Sequence, residues 1–166
     1  MASFNKRDLR ALSPFPRSPR RNGRAPRERH TVARMTNPLT RFAPGAYALL
    51  RIVSGLLFAF HGVQKIFGVL AEQQPAVGTQ IWIGGVLELV CGAAIALGLF
   101  ASQAAFLASG MMAVAYFQFH WRFRFDSAFF PAINQGELAV VYCFLFLYIA
   151  CKGSGYYSLG GSHRPG

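Results

Sequence analysis

The sequence predicts an all-α fold, a polytopic membrane protein built as a four-helix transmembrane bundle, and three observations predict it. Four stretches are apolar enough to cross a bilayer, at residues 47–67, 81–100, 102–119 and 136–151. A crossing helix needs about 20 mostly apolar residues, and the fourth stretch is the short one. The four are apolar on every face, so a water-soluble fold of this length would have no amphipathic layer to meet solvent. Finally, the ionisable residues inside or at the edges of these stretches are few: Arg51, His61, Lys65, Glu88, His120 and Glu137. A charge at mid-bilayer costs roughly 2.5–3.5 kcal/mol, and such groups persist where they face an interior, pair with one another or line a pathway.

The chain before the first span is different in kind. Residues 1–41 hold 11 of the 17 Lys and Arg against Asp8 and Glu28, and so carry +9 of the formal +11. Prolines 14, 16, 19, 26 and 38 oppose a helix and no apolar run is present, so the expectation is a disordered basic tail. A second expectation starts the natural protein at Met35 and makes residues 1–34 an over-long gene assignment. Neither nucleic acid nor an organellar import system is the favoured partner of this tail, because a transit peptide requires an amphipathic helix. The membrane domain then occupies 42–160, and residues 161–166 form a C-terminal tail.

Orientation follows from the basic residues. The positive-inside rule places the tail in the cytoplasm, and an even number of spans returns Lys152 and Arg164 to the same side. The loops at 68–80 and 120–135 face outward, and Trp82, Tyr116 and Trp121 fall at that boundary.

On the first span Arg51, Ser54, Gly55, Phe58, His61, Gly62 and Lys65 share an arc of roughly 120° at 100° per residue. On the second, Gly84, Gly85 and Gly92 surround Glu88, and small residues let a neighbouring backbone approach closely. The third offers Gly110, Ala113, Phe117 and His120 as a matching stripe. His61 and Glu88 lie at equal depth, roughly 10 Å below the outer surface at 1.5 Å per residue. Lys65, His120 and Glu137 lie higher, with Arg122 and Asn134 in the adjoining loop. The expected result is one polar cluster in the outward half, with Glu88 meeting His61 or Lys65, and Glu137 meeting Lys65, His120 or Arg122. Arg51 stands apart toward the cytoplasm, where its long side chain is expected to snorkel.

Other chemistry is excluded by motif. Cys91, Cys143 and Cys151 lie in apolar spans without a CxxC and read as packing residues. No HExxH or EF-hand loop supports a metal, and no GxGxxG, GKS/T or GxSxG supports a nucleotide or a serine nucleophile. His and Glu inside spans suit a proton relay or a quinone headgroup, whose carbonyls accept hydrogen bonds from His or Lys. Each position also has a purely structural reading, since buried ion pairs often serve register and specificity.

The runs LLRIVSGLLFAFHGVQKIFG (49–68), GGVLELVCGAAIALGL (84–99), MAVAYFQFH (112–120), FFPAINQGELAVVYCFLFL (129–147) and GSGYYSLG (153–160) resemble the DoxX family of four-helix bacterial inner-membrane proteins. The resemblance covers about 45–160 and omits the tail. It implies recurring family positions at Arg51, His61, Gly62, Gln64, Lys65, Glu88, Gly92, Pro131, Asn134, Gly136 and Glu137. It also implies a group named for small subunits of quinone-linked thiosulfate oxidation and found in membrane oxidoreductase assemblies tied to redox stress. The resulting expectation is a small subunit of a quinone-linked membrane oxidoreductase, with partner membrane or redox subunits and quinone as its cofactor. A non-catalytic assembly scaffold and a small transporter are the rivals.

Overall fold

A computed structural model describes residues 37–160, and every regular element among them is helical. The tail expected at 1–36 and the last residues, 161–166, lie outside the described residues. Residues 37–41, expected to belong to the disordered tail, are instead ordered. Asn37 accepts from the Leu39 amide at 3.0 Å and caps a 3₁₀ turn, Pro38–Phe42, which runs directly into the first long helix.

Four long helices follow: α1 (Ala43–Phe67), α2 (Gln80–Leu97), α3 (Ala101–Ala115) and α5 (Glu137–Lys152), with a single short turn, α4 (Pro131–Asn134), between the last two. Local sequence sets the ends. α1 stops at Gly68, which takes the left-handed conformation at φ 67° and donates to the Gln64 carbonyl. α2 begins on the Thr79 hydroxyl and ends at Leu97, capped by Gly98 at φ 72°, three residues before the expected end at 100. α3 does not run on as α-helix to 119: at Tyr116–Trp121 it widens into a π-helical stretch in which the Arg122 amide donates to Phe117, five residues back, at 2.9 Å.

α1 and α2 cross almost backbone on backbone. A Cβ at Gly62 would lie 2.5 Å from the Gly85 carbonyl oxygen, and one at Gly92 would lie 2.4 Å from the Ala59 amide. No other residue fits there, which is the close approach expected of small residues in apolar helices. The buried face of α1 is Tyr47, Ala48, Arg51, Ser54, Gly55, Phe58, Ala59 and Gly62, close to the arc read from the sequence. On α3 the expected stripe is wrong. Gly110 is exposed with open space around it, and the buried face is Ala101, Ala105, Ala108, Ser109 and Met112. Alanine and glycine lie on both faces of this helix, so hydropathy alone does not choose between them; the hydrogen bond from Ser109 to the Cys143 carbonyl on α5, 2.7 Å, marks the true one.

Phe58 joins the two halves. Its ring lies 4.7 Å from Phe146 and 5.5 Å from Tyr142, centroid to centroid, and Tyr142 stacks on Phe146 at 5.1 Å. Such pairs contribute about 0.5–1.5 kcal/mol each beyond the area they bury. At the far end the Tyr47 hydroxyl donates to the Gly153 carbonyl, so the start of α1 and the end of α5 meet.

The outside of the helices is apolar: Leu49, Leu56, Leu57, Phe106, Val141 and Phe144 are all at least half exposed. Pro38–Phe67, with mean hydropathy 1.6, and Gln80–Leu97, with 1.8, are long and apolar enough to cross a membrane. α3 and α5, at 15 and 16 residues, are shorter than the about 20 that a full crossing needs. Cys91 is buried, Cys143 half-buried and Cys151 exposed, so only the first is a fully enclosed packing residue.

Candidate functional site

Lys65 stands in the last turn of α1 and Glu88 in the middle of α2, and they form an ion pair at 2.5 Å. Gly85 makes the pair possible: a Cβ there would lie 2.7 Å from the Lys65 Cβ, so any side chain at 85 displaces the lysine stem. The partners are unequally placed. The Lys65 side chain is 33% exposed and that of Glu88 only 6%. One carboxylate oxygen, Oε1, takes the ammonium; the other, Oε2, is buried without a hydrogen-bond partner. A buried polar atom left unpaired is costly, and Glu88 is one of the residues that line a cavity.

That cavity, about 600 Å³, lies between α1, α2, α3 and α5 near the loop end of the fold. Its wall is mostly apolar, with Phe58, Met112, Phe119 and Leu138, and its polar groups include His61, Lys65, Glu88 and His120. His61 is half-buried and makes no hydrogen bond to the described residues. His120 projects from the π-helical stretch, and its Nδ1 donates to the Asn134 carbonyl at 3.2 Å. Of the two partners proposed for Glu88, the structure therefore selects Lys65 and leaves His61 facing the cavity.

Of the remaining candidates, Gln64 and Asn134 border this group and Glu137 stands apart from it. Gln64 lines a second hollow, about 440 Å³, with His61, Lys65, Glu72 and Gln73, so His61 and Lys65 border both hollows. Asn134 ties the loop: its Nδ2 donates to the Ala128 carbonyl at 2.7 Å, and its Oδ1 accepts from Gly136 at 2.8 Å. Glu137 is exposed at the first position of α5, and none of Lys65, His120 or Arg122 reaches it. A negative charge at a helix start needs no counter-ion, because the exposed amides there carry partial positive charge. Sequence reasoning missed Gln80, Gln135 and Tyr142, which also line the cavity. Gln80 and Gln135 stand at element ends, where polar residues are ordinary, and Tyr142 reads as one more aromatic in an apolar span.

Arg51 does not snorkel. It is wholly buried, and its guanidinium donates to the carbonyls of Ile95 at 2.6 Å and Ala96 at 3.0 Å, the exposed end of α2. Its other terminal nitrogen donates to the Tyr157 carbonyl at 2.7 Å. Cations are favoured at a helix C-terminus, and here a planar donor fork spans two peptide groups. Leu159 adds an amide bond to the Leu97 carbonyl at 3.0 Å, so residues 153–160 fold back over the end of α2.

In the loop beyond the helices, the Ala128 amide and then the Arg124 guanidinium hold the Asp126 carboxyl below its ordinary range. Among the described residues no three His, Cys, Asp or Glu converge to hold a metal ion.

Comparison with known proteins adds the lineage. A family model described as DoxX matches residues 46–121. An uncharacterized protein of Haemophilus influenzae is 40% identical over 123 residues, which is 72% of this chain and 91% of that protein. No solved structure matches.

Proposed function

Because the chain belongs to the DoxX family, we propose that it is an integral membrane protein whose four long helices cross a bacterial inner membrane. In this reading both chain ends face the cytoplasm and the protein is a small subunit of a quinone-linked oxidoreductase assembly. The apolar outer faces of the helices support the membrane placement, since lipid is the solvent that tolerates them. α3, lengthened by its π-helical stretch, and α5 cross with the bilayer thinned locally around them. The meeting of Tyr47 with Gly153 puts the start of α1 and the end of α5 at one face.

One observation carries the functional reading: a largely apolar cavity of about 600 Å³ whose few polar groups, His61, Lys65, Glu88 and His120, gather on its wall. Ligand sites for apolar molecules with a polar head have this size and make-up. Quinone carbonyls accept hydrogen bonds, and Lys65 and His61 donate them. The chain supplies binding, orientation and proton-bearing side chains; the electrons belong to the quinone and to a partner subunit.

Detergent-purified full-length protein is expected to retain or bind a short-chain benzoquinone, and His61→Ala to weaken that binding while helical content and thermal stability hold. Failure of the wild type to bind any quinone at near-saturating concentration, together with loss of a copurifying partner on removing His61 and Glu88, favours the scaffold role instead.

A further inference from the structure

We infer that the ligand of this cavity carries a long apolar chain, and that the chain leaves sideways, through the seam between α2 and α3, into the hydrocarbon layer. The inference rests on the quinone-site reading above and deepens it: the occupant is a membrane-borne quinone, received from the bilayer rather than from water.

The seam is the loosest in the bundle, for α2 packs less closely on α3 than on α1, and α3 less closely on α2 than on α5. It is fastened at both ends. Three residues, 98–100, join the helices at the inner end, and at the outer end the Gln80 amide donates to the Gln118 carbonyl oxygen at 2.6 Å. Between these fasteners the cavity is walled by Ile83 and Leu87 on α2 and by Met111, Val114 and Ala115 on α3, and it is not an enclosed chamber. Five apolar residues of the wall are also exposed on the outside of the molecule. Four of them, Ile81, Ile83, Val114 and Phe119, belong to α2, α3 and the π-helical stretch; Leu138 on α5 is the fifth. Gly84 lies in the same stretch of wall, and a Cβ there would meet nothing within 4 Å.

Polarity is graded along the cavity. Lys65, Gln80, His120 and Gln135 stand toward the loop end, whereas Leu87 and Met111 lie roughly 10 Å deeper at 1.5 Å per residue. A ring with carbonyls is thus suited to the upper part and an apolar chain to the lower. The volume, about 600 Å³, is that of a site for a compact ligand, so a long chain has to leave it. The second hollow is a poor exit, since Gln64, Glu72 and Gln73 line it. The seam is a good one: lipid is as apolar as its walls, and a chain that passes from one to the other loses nothing.

The test uses full-length protein in phospholipid nanodiscs and three benzoquinones with one ring structure, bearing no chain, two isoprene units or ten, at equal mole fraction in the lipid. The two-unit and ten-unit quinones should bind equally, within about threefold, because the added chain stays in lipid. A larger loss for the ten-unit quinone overturns the inference while leaving the cavity a quinone site. A two-unit analogue with a diazirine at its chain end should label Ile83, Leu87, Met111 or Val114, and excess unlabelled two-unit quinone should suppress that labelling. Suppressible labelling of residues 70–73 instead overturns the route. Gly84→Phe, whose ring would grow into the space beside the seam, should weaken the two-unit quinone at least about tenfold with helical content unchanged, as a steric plug does. Unchanged affinity in that variant overturns the seam as the exit; if the variant does not fold, the labelling pattern decides. Absence of binding by all three quinones overturns both this inference and the quinone-site reading.

Discussion

The two ends of this molecule each hold a cation, and they use it in opposite ways. Arg51 is completely buried and gives its terminal nitrogens to the carbonyls of Ile95, Ala96 and Tyr157, with no acid beside it. Lys65 is a third exposed and meets Glu88, which is left with an unpaired oxygen at a cavity wall. The first is a fastener whose terminal nitrogens are spent on the backbone, with only its buried Nε lacking a partner. The second ties α1 to α2 side chain to side chain at the edge of a cavity. A charge inside an apolar helix therefore does not by itself mark a functional site; each end keeps one buried polar atom unpaired, and what sets Lys65 and Glu88 apart is that they line a cavity.

If that contrast is right, Arg51→Met should be the most damaging single change, costing about 4 kcal/mol because it strands buried carbonyls at the end of α2. Arg51→Lys should recover little, since an ammonium cannot reproduce the fork. Denaturant unfolding in mild detergent reads both, and a loss under 1 kcal/mol would remove the fastener from the account.

The other end should respond unevenly to losing one partner or the other. Lys65→Met leaves a buried carboxylate and should cost about 3 kcal/mol, whereas Glu88→Leu leaves a lysine that reaches solvent and should cost about 1. The double variant should fall below the sum of the two, and strict additivity would show that the pair does not form in the membrane.

Between the ends, Gly92→Ala should cost about 2 kcal/mol, because its methyl would meet the α1 backbone at 2.4 Å. Gly84→Ala, with nothing within 4 Å, should leave stability unchanged. Thermal unfolding of the pair measures whether the α1–α2 crossing is as tight as the geometry states.

The smallest effect belongs to the exposed loop. Asp126 is held below its ordinary 3.8 by the Ala128 amide first and Arg124 second. A depressed carboxylate contributes above its unfolded pKa and loses that contribution as pH falls through the lower, folded value. Local order at residues 124–128 should therefore persist down to about pH 4 and loosen below it, and Asp126→Asn should remove the pH dependence. Hydrogen exchange at the Ala128 amide reports this, and exchange that is flat from pH 3 to 6 would contradict it.

Much of the helix layout was legible because small and polar residues interrupt otherwise apolar helices. Ser54, Gly55 and Gly62 mark the inner face of α1, whereas depth matched Glu88 to His61 and the structure pairs it with Lys65, one turn further on. Three things were hidden for physical reasons. The inward face of α3 is alanine beside glycine, which no hydropathy scale separates. The partners of Arg51 are backbone carbonyls, which leave no trace in residue type. Asn134 and Glu137 look alike as polar residues near a helix start, yet one ties a loop through its amide while the other stands in the open.

The fold-back over α2 has a consequence for biosynthesis. Arg51 and Tyr157 are 106 residues apart in the chain. At 5–20 residues per second, on the order of ten seconds pass between the making of the guanidinium and the arrival of its last acceptor. During that interval the α1–α2 hairpin supplies Ile95 and Ala96 from within itself. The first two helices thus have their arginine already hydrogen-bonded in part, and the end of translation, rather than its start, completes the seal.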